Sequence, residues 1–313
     1  MSAIDTLAAG FRLVWRRPWL LILPIALDLF LLLGPKLSAL PVISQAFDSM
    51  VAAQNMASGG EQVLTAEALA TASDMVNNVI GHINIFALAA FTRLGFPSVA
   101  GTKPIDMATD RVFTIESTGT LLLCQFGLLL VGLLFATAFL VSIAQAIREE
   151  HDDLATTMHH VFSSWLKLLS LLVPLGLGLV IGLSILAIMP GGVGLLLTMA
   201  LMVAIVWALI YLAFVPEAIT LSHDSALGAL NSSFRLVRSN FGPTIGILIL
   251  VTVLRNGMGL IWQNLLLRSQ LAALVAIVGS AYVGTSLTAA LFFYYRDRLS
   301  RSAQREGVRS IHL

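Results

Sequence analysis

The sequence predicts an all-α integral membrane protein with six transmembrane helices arranged as three hairpin repeats. Hydrophobic residues make up 58% of the chain and charged residues only 11%, against about 25% charged in a soluble domain. Several apolar runs reach the length of about 20 residues that a helix needs to cross a bilayer. A short amphipathic segment at the start of the chain also recurs later, again followed by an apolar run.

The recurring amphipathic segment is part of an internal repeat. Residues 2–14, SAIDTLAAGFRLV, match residues 225–237, SALGALNSSFRLV, with Ser, Ala, Leu and Phe-Arg-Leu-Val at the same spacing. A weaker copy lies between them, in the tryptophan-to-proline runs WRRPWLLILP and WLKLLSLLVP. We therefore expect one unit used three times, each consisting of an amphipathic inner-surface helix, a span and a return span.

Taken in order, the chain divides into four parts. Residues 1–35 are predicted to form an amphipathic helix plus the first span, and residues 119–298 a five-span membrane bundle. Residues 36–118 carry too many charges to cross lipid, and are predicted to form an extracytoplasmic helical cap resting on the membrane between spans 1 and 2. Residues 299–313 form a basic cytoplasmic tail.

Each predicted span is bounded by polar or turn-forming residues. A cleaved signal peptide is the alternative for the first, but Asp28 interrupts its apolar run and the segment recurs in mid-chain. Pro190-Gly191-Gly192 leaves almost no loop between spans 3 and 4, which predicts a tight antiparallel hairpin. The six spans are residues 18–35, 119–147, 165–189, 193–215, 241–262 and 271–295.

Lysine and arginine predict the orientation, because loops on the cytoplasmic side are enriched in both. With both termini inside, twelve of the 18 basic residues fall on the inner side and six elsewhere. We therefore expect a multi-pass protein of the bacterial cytoplasmic membrane with both termini in the cytoplasm. The twelve are Arg12, Arg16, Arg17, Arg148, Lys167, Arg235, Arg238, Arg296, Arg298, Arg301, Arg305 and Arg309.

The inner-surface segments carry arginine beside tryptophan or phenylalanine. Apolar residues recur at steps of three or four along the first of them, which is typical of one helix face. Arginines can bind lipid phosphates while indole rings favour the boundary, so such a helix can lie in the headgroup layer. The alternative is that this segment only connects to the span that follows it. The predicted membrane-interface anchors are Arg12, Trp15, Arg16, Arg17, Trp165, Arg235 and Arg238.

Two charged residues lie inside predicted spans. At a rise of about 1.5 Å per residue, Asp28 lies about 15 Å from Pro18 and Arg255 about 21 Å from Phe241. An unpaired charge at mid-membrane costs at least about 2.5–3.5 kcal/mol. We therefore expect Asp28 and Arg255 to pair between spans 1 and 5. A structural clamp, or an arginine that reaches the interface, is the alternative to a site on a transport path.

Other chemistry is sparse. Cys124 is the only cysteine, so the chain forms no internal disulfide. The run EEHDD at residues 149–153, with His159 and His160, contains possible zinc or manganese ligands, but their spacing fits no recognised site and a solvated loop is the favoured alternative. Nucleotide-binding motifs and a catalytic triad are absent from the sequence. We therefore predict no catalytic, cofactor-binding or metal-binding residue.

One stretch carries a family resemblance. Residues 214–250, with Arg238-Ser239-Asn240-Phe241 at the entry to a span, and the closing run FFYYRDR resemble six-span bacterial membrane proteins of uncharacterised function. These are related to the membrane domain of glycerophosphodiester phosphodiesterases, and the resemblance covers roughly residues 148–298. It implies no catalytic residue, because the phosphodiesterase itself would need a separate soluble barrel of about 250 residues.

These observations favour a non-enzymatic integral membrane protein that acts as a scaffold or accessory subunit of a membrane complex. Its predicted partners are the lipid bilayer and either another protein or further copies of itself. A net charge of +1 gives no reason to expect nucleic acid. The alternative is a transporter or permease subunit, whose polar path could be marked by Asp28, Gln125, Gln145 and Arg255. A lipid-modifying enzyme would need clustered acids and bases that the sequence does not supply.

Overall fold

The computed structural model describes residues 2–57, 66–75, 84–90, 94–101, 111–150, 153–189 and 191–310. Within these ranges the chain is almost entirely helical. The eleven α-helices are α1 Ala3–Arg16, α2 Ile22–Leu33, α3 Leu40–Ala57, α4 Ala66–Met75, α5 Thr118–Arg148, α6 Leu154–Ile188, α7 Gly191–Tyr211, α8 Val215–Leu221, α9 Ala226–Ser239, α10 Phe241–Leu266 and α11 Gln270–Ser310.

Five described helices have the length and apolar composition to cross a membrane: Thr118–Arg148, Leu154–Leu186, Gly192–Leu221, Phe241–Leu266 and Gln270–Arg301. The chain is therefore a multi-pass, all-α membrane protein. The predicted first span is shorter in the structure. It consists of a 3₁₀ turn, Pro18–Leu21, followed by α2, because Pro18 and Pro24 interrupt the start of the run.

The two predicted amphipathic segments are helices of equal length, α1 and α9. Ser2 caps α1 by accepting the amide hydrogen of Asp5, and Ser225 caps α9 by accepting that of Gly228. Each helix buries one stripe and exposes the rest. The buried positions are Thr6, Ala9, Gly10 and Val14 in α1, and Ala229, Ser233, Leu236 and Val237 in α9.

Two details differ from the sequence analysis, which also predicts a turn at Ser58-Gly59-Gly60. A short parallel β pair, β1 (Lys36–Ser38) and β2 (Val112–Thr114), lies in a segment predicted to be helical. Helix α6 begins at Leu154, capped by the Asp153 carboxylate, so that much of the predicted polar loop is the first part of a long helix. The predicted turn at Pro190 lies outside the described residues, as do Ser58, Gly59 and Gly60.

The chain forms two compact units. Unit 1 comprises Met1–Leu21, Ala136–Met258 and Tyr282–Leu313, and unit 2 comprises Ile22–Phe135 and Gly259–Ala281. In unit 1, the ring of Phe214 stacks on Tyr294 and Tyr295 at centroid separations of 5.6 and 6.2 Å. Phe214 lies between α7 and α8, and both tyrosines lie in the middle of α11, so these buried rings fill the interior of unit 1.

In unit 2, the apolar helices enclose two irregular segments, residues 84–90 and 94–101. Val99 packs against Leu32 and Ile277, and a Cβ on Gly132 would come within 2.7 Å of the Ala89 carbonyl oxygen. These segments belong to the region predicted to rest on the membrane as a cap. Their buried side chains pack among the described residues of unit 2, and these are Ile85, Ala89, Ala90, Phe96, Val99 and Ala100.

Candidate functional site

The predicted interface anchors of α1 lie on its exposed side. Trp15 is 79% exposed, and Arg12 and Arg16 are exposed beside it. Arg17 is partly buried, and its amide donates to the Leu13 carbonyl at the end of the helix. Indole and guanidinium groups therefore share one face of the helix, on the side opposite the buried stripe.

The remaining predicted anchors lie on α6 and α9. Arg235 and Arg238 are exposed on α9, near the exposed ring of Phe234. Trp165 is partly buried on α6, with its ring 5.5 Å from that of Phe162. Each anchor thus has aromatic side chains close by in the chain.

Asp28 is completely buried in α2 and accepts three hydrogen bonds from one irregular turn. The Ser98 hydroxyl donates to Oδ1 at 2.5 Å, the Val99 amide to Oδ2 at 3.0 Å and the Ala100 amide to Oδ1 at 3.3 Å. Irregular backbone buried among apolar helices has no water to bond, so its amides need protein acceptors. The carboxylate supplies them, which explains an acid inside an apolar helix.

Arg255 has different partners, all in unit 1. Its Nη2 donates to the Thr288 hydroxyl of α11 at 3.1 Å, and Glu217 of α8 is the acid close enough to interact with it electrostatically. Each of the two residues thus has described partners within its own unit: a hydroxyl and two amides for Asp28, and Thr288 and Glu217 for Arg255. The pairing of Asp28 with Arg255 stays a prediction.

Glu217 is the residue that the sequence analysis missed. It is 4% exposed, and its Oε2 atom makes no hydrogen bond within the described part of the chain. The buried hydroxyl of Thr285 on α11 is likewise without a described partner. The available signal is a single acid among apolar residues in FVPEAITL, between the fourth predicted span and the second amphipathic segment.

A series of polar side chains extends from Glu217 towards the start of α9. The Tyr295 hydroxyl lies near Ser222 and Ser232, and the Ser232 hydroxyl donates to Asp224 at 2.9 Å. We call Glu217, Arg255, Thr288 and Tyr295 the buried polar cluster. It combines a carboxylate, a guanidinium and hydroxyls in an interior otherwise made of apolar and aromatic side chains.

The hairpin of α6 and α7 differs from the other spans in its burial. Only 6% of the apolar window of each of its two spans is buried in the protein, against 44% in α5 and 50% in α11. A Cβ added at Gly178 or Gly182 would meet nothing within 4 Å. The same holds for Gly242 and Gly246 of α10, so neither of these glycine pairs packs against a described part of the chain.

The run EEHDD, with His159 and His160, shows no metal-binding geometry among its described residues. Among the residues that the structure describes, no three His, Cys, Asp or Glu side chains are close enough to hold a metal ion. His151 and Asp152 lie outside the described residues.

The fold thus defines a multi-pass helical membrane protein with polar groups buried in each unit. No family model, no curated protein and no solved structure matches this chain.

Proposed function

We propose that this protein is a non-enzymatic integral membrane protein that acts as a scaffold or accessory subunit of a membrane complex. The observation that carries the proposal is the sparse burial of α6 and α7. Helices in a membrane associate by close packing and not by the hydrophobic effect, and small residues permit that packing. A glycine pair with open space, on a hairpin whose apolar windows are only 6% buried, is therefore suited to a helix of another protein or a second copy.

The proposed placement is the bacterial cytoplasmic membrane, with both termini in the cytoplasm. Residues 18–33 act as a sixth, short span in this proposal. Their 16 residues would extend about 24 Å, less than the roughly 30 Å of a hydrocarbon core, so local thinning or flanking residues must accommodate the difference. The distribution of arginine and lysine supports this orientation.

The proposal also retains the three related hairpins and the resemblance to the membrane domain of glycerophosphodiester phosphodiesterases. The equal lengths, serine caps and matched buried positions of α1 and α9 support a repeat of that unit. Exposed arginines and aromatic rings on both helices support their attachment to the inner lipid surface.

Purification in mild detergent tests the assignment. We expect the wild-type chain to elute as a complex of fixed stoichiometry. The Gly178→Ile variant should elute without its partner. The matched control is Gly127→Ile on α5, since a Cβ at Gly127 also meets nothing within 4 Å. Elution of the wild-type chain as a solitary monomer, or equal loss in both variants, would contradict the proposal.

A transporter or permease subunit is the second candidate, favoured by the buried polar cluster. A carboxylate with an unpartnered oxygen close to a buried guanidinium can bind a polar solute or a cation between helices. Reconstituted vesicles test this candidate. Transport predicts solute or ion flux that Glu217→Gln abolishes, with Glu150→Gln as an exposed-acid control, whereas vesicles without flux would exclude it.

A further inference from the structure

Four nitrogen-bearing side chains of unit 1 converge from the end of α5, the first half of α6 and the residues after α8. Arg148 is the last residue of α5, His160 and Lys167 lie two turns apart on α6, and His223 follows α8. Arg148 Nη1 contacts His223 Nε2, and Lys167 Nζ donates to the His223 carbonyl at 3.3 Å. The rings of His160 and His223 are 4.6 Å apart. We call these four residues the Arg148 cluster.

The Arg148 cluster holds the fixed positive charges of Arg148 and Lys167, and the described acid in contact with it is Glu150. Glu150 contacts Arg148, with its Oε2 3.1 Å from Nε, but its side chain is 44% exposed. The Nη2 atom of Arg148 is buried and makes no hydrogen bond within the described residues. A partly buried guanidinium with an unused N–H group can donate to an oxyanion, and its planar fork suits a phosphate.

His223 accepts a hydrogen bond from Arg148 through one ring nitrogen, Nε2, which leaves the other, Nδ1, as the N–H donor. Its backbone has φ of 55°, the left-handed region that non-glycine residues seldom adopt. Because arginine can only donate, Nε2 of His223 must be the acceptor in their contact, and the ring is therefore neutral. Burial, followed by the nearby Arg148, lowers the pKa of His223 below its ordinary value. An anion beside the ring would reverse this effect and favour the protonated form.

We propose that Arg148, Lys167, His160 and His223 form a binding site for a phosphate group. Arg148 and Lys167 supply fixed positive charge, and the two imidazoles supply N–H donors. The phosphate can belong to the headgroup of an anionic phospholipid or to a small soluble phosphate. The site lies where the apolar run of α5 ends at Arg148, the level at which headgroups meet a membrane helix.

Two binding measurements on the full-length protein separate these sources. In detergent, inorganic phosphate is titrated at constant ionic strength. In nanodiscs made of equal parts phosphatidylglycerol and phosphatidylcholine, native mass spectrometry counts the retained lipids. Phosphate binding without lipid preference indicates a soluble ligand, and retained phosphatidylglycerol indicates a headgroup. Absence of both kinds of binding overturns the proposal.

Variants then tie the binding to the cluster. A charge-assisted hydrogen bond contributes about 1.5–3 kcal/mol, so Arg148→Gln and Lys167→Gln should each weaken binding by roughly tenfold or more. Arg301→Gln removes an exposed arginine of α11, outside the cluster, and should leave phosphate binding unchanged. Arg148→Lys keeps the positive charge but lacks the planar fork, and it controls for misfolding as the cause of lost binding. Its phosphate affinity should lie between those of the wild type and Arg148→Gln.

His223→Gln supplies the last readout. Its amide oxygen can still accept from Arg148, but it cannot gain a proton, so phosphate affinity should lose its increase as the pH falls. Wild-type affinity in the Arg148→Gln/Lys167→Gln double variant, or an unchanged pH profile in His223→Gln, would show that the cluster does not hold the phosphate.

Discussion

Gly10 of α1 lies so close to α11 that a Cβ there would be 2.2 Å from the Ser286 carbonyl oxygen and 2.9 Å from the Ala290 amide nitrogen. The two helices therefore approach each other backbone to backbone, which only glycine permits at this position. Phe11 contacts Tyr282 in the same region, with ring centroids 5.7 Å apart. This close approach fixes α1 on the rest of unit 1.

The first prediction concerns that approach. Gly10→Ala should destabilise the packing of α1 on α11 by about 1–3 kcal/mol, because the added methyl group meets main chain that cannot move aside. The measurement is the thermal midpoint in detergent together with the rate of proteolysis within α1. Gly246→Ala, where the methyl group meets open space, should change neither quantity. An unchanged midpoint in Gly10→Ala would contradict the packing described.

Ser233 provides the second prediction, because it stands where Gly10 stands in the matched segment. Its hydroxyl donates to the Tyr211 carbonyl at 2.7 Å and accepts the Phe214 amide hydrogen at 3.2 Å. Ser233→Ala leaves two buried backbone groups unpaired, which should cost about 1–3 kcal/mol. Ser239→Ala, at an exposed position of the same helix, is the control. Equal thermal midpoints for the two variants would count against this role.

The third prediction follows from the partners of Asp28. Asp28→Ala and Ser98→Ala should each lower stability, and their effects should be less than additive because they share one hydrogen bond. Denaturation in detergent of the two single variants and the double variant gives the coupling. Asp28→Arg combined with Arg255→Asp should not regain stability. Rescue by that double reversal would instead support an ion pair between Asp28 and Arg255.

The fourth prediction is a pH dependence from His223. Its folded-state pKa is lowered, so the neutral ring is favoured in the folded protein and the unfolded chain takes up the proton first. Stability is therefore fully present above the ordinary value of about 6.5 and falls as the pH drops below it. The thermal midpoint from pH 8 to pH 5 should fall more for wild type than for His223→Gln. Parallel curves would exclude this contribution.

The sequence predicted the helical membrane class because long apolar runs have few other uses, and it located α1 and α9 from their amphipathic period. It also identified Asp28 and Arg255 as unusual, but assigned their partners from charge and depth alone. The turn at Ser98 that satisfies Asp28 is 70 residues away in the chain, and no periodic pattern reports such a contact. Glu217 was not predicted as a buried residue, because a single acid beside Pro216 is typical of a connection between helices.

The most direct test of the scaffold proposal is photocrosslinking in intact membranes. A photoreactive residue is placed at Val180 on α6 or Met199 on α7, which are 61% and 60% exposed, and at Leu123 on α5, which is 76% exposed, as the control. The account predicts a discrete protein adduct, either one partner or a second copy, from the two hairpin positions and only lipid adducts from Leu123. Lipid adducts alone at all three positions would contradict it.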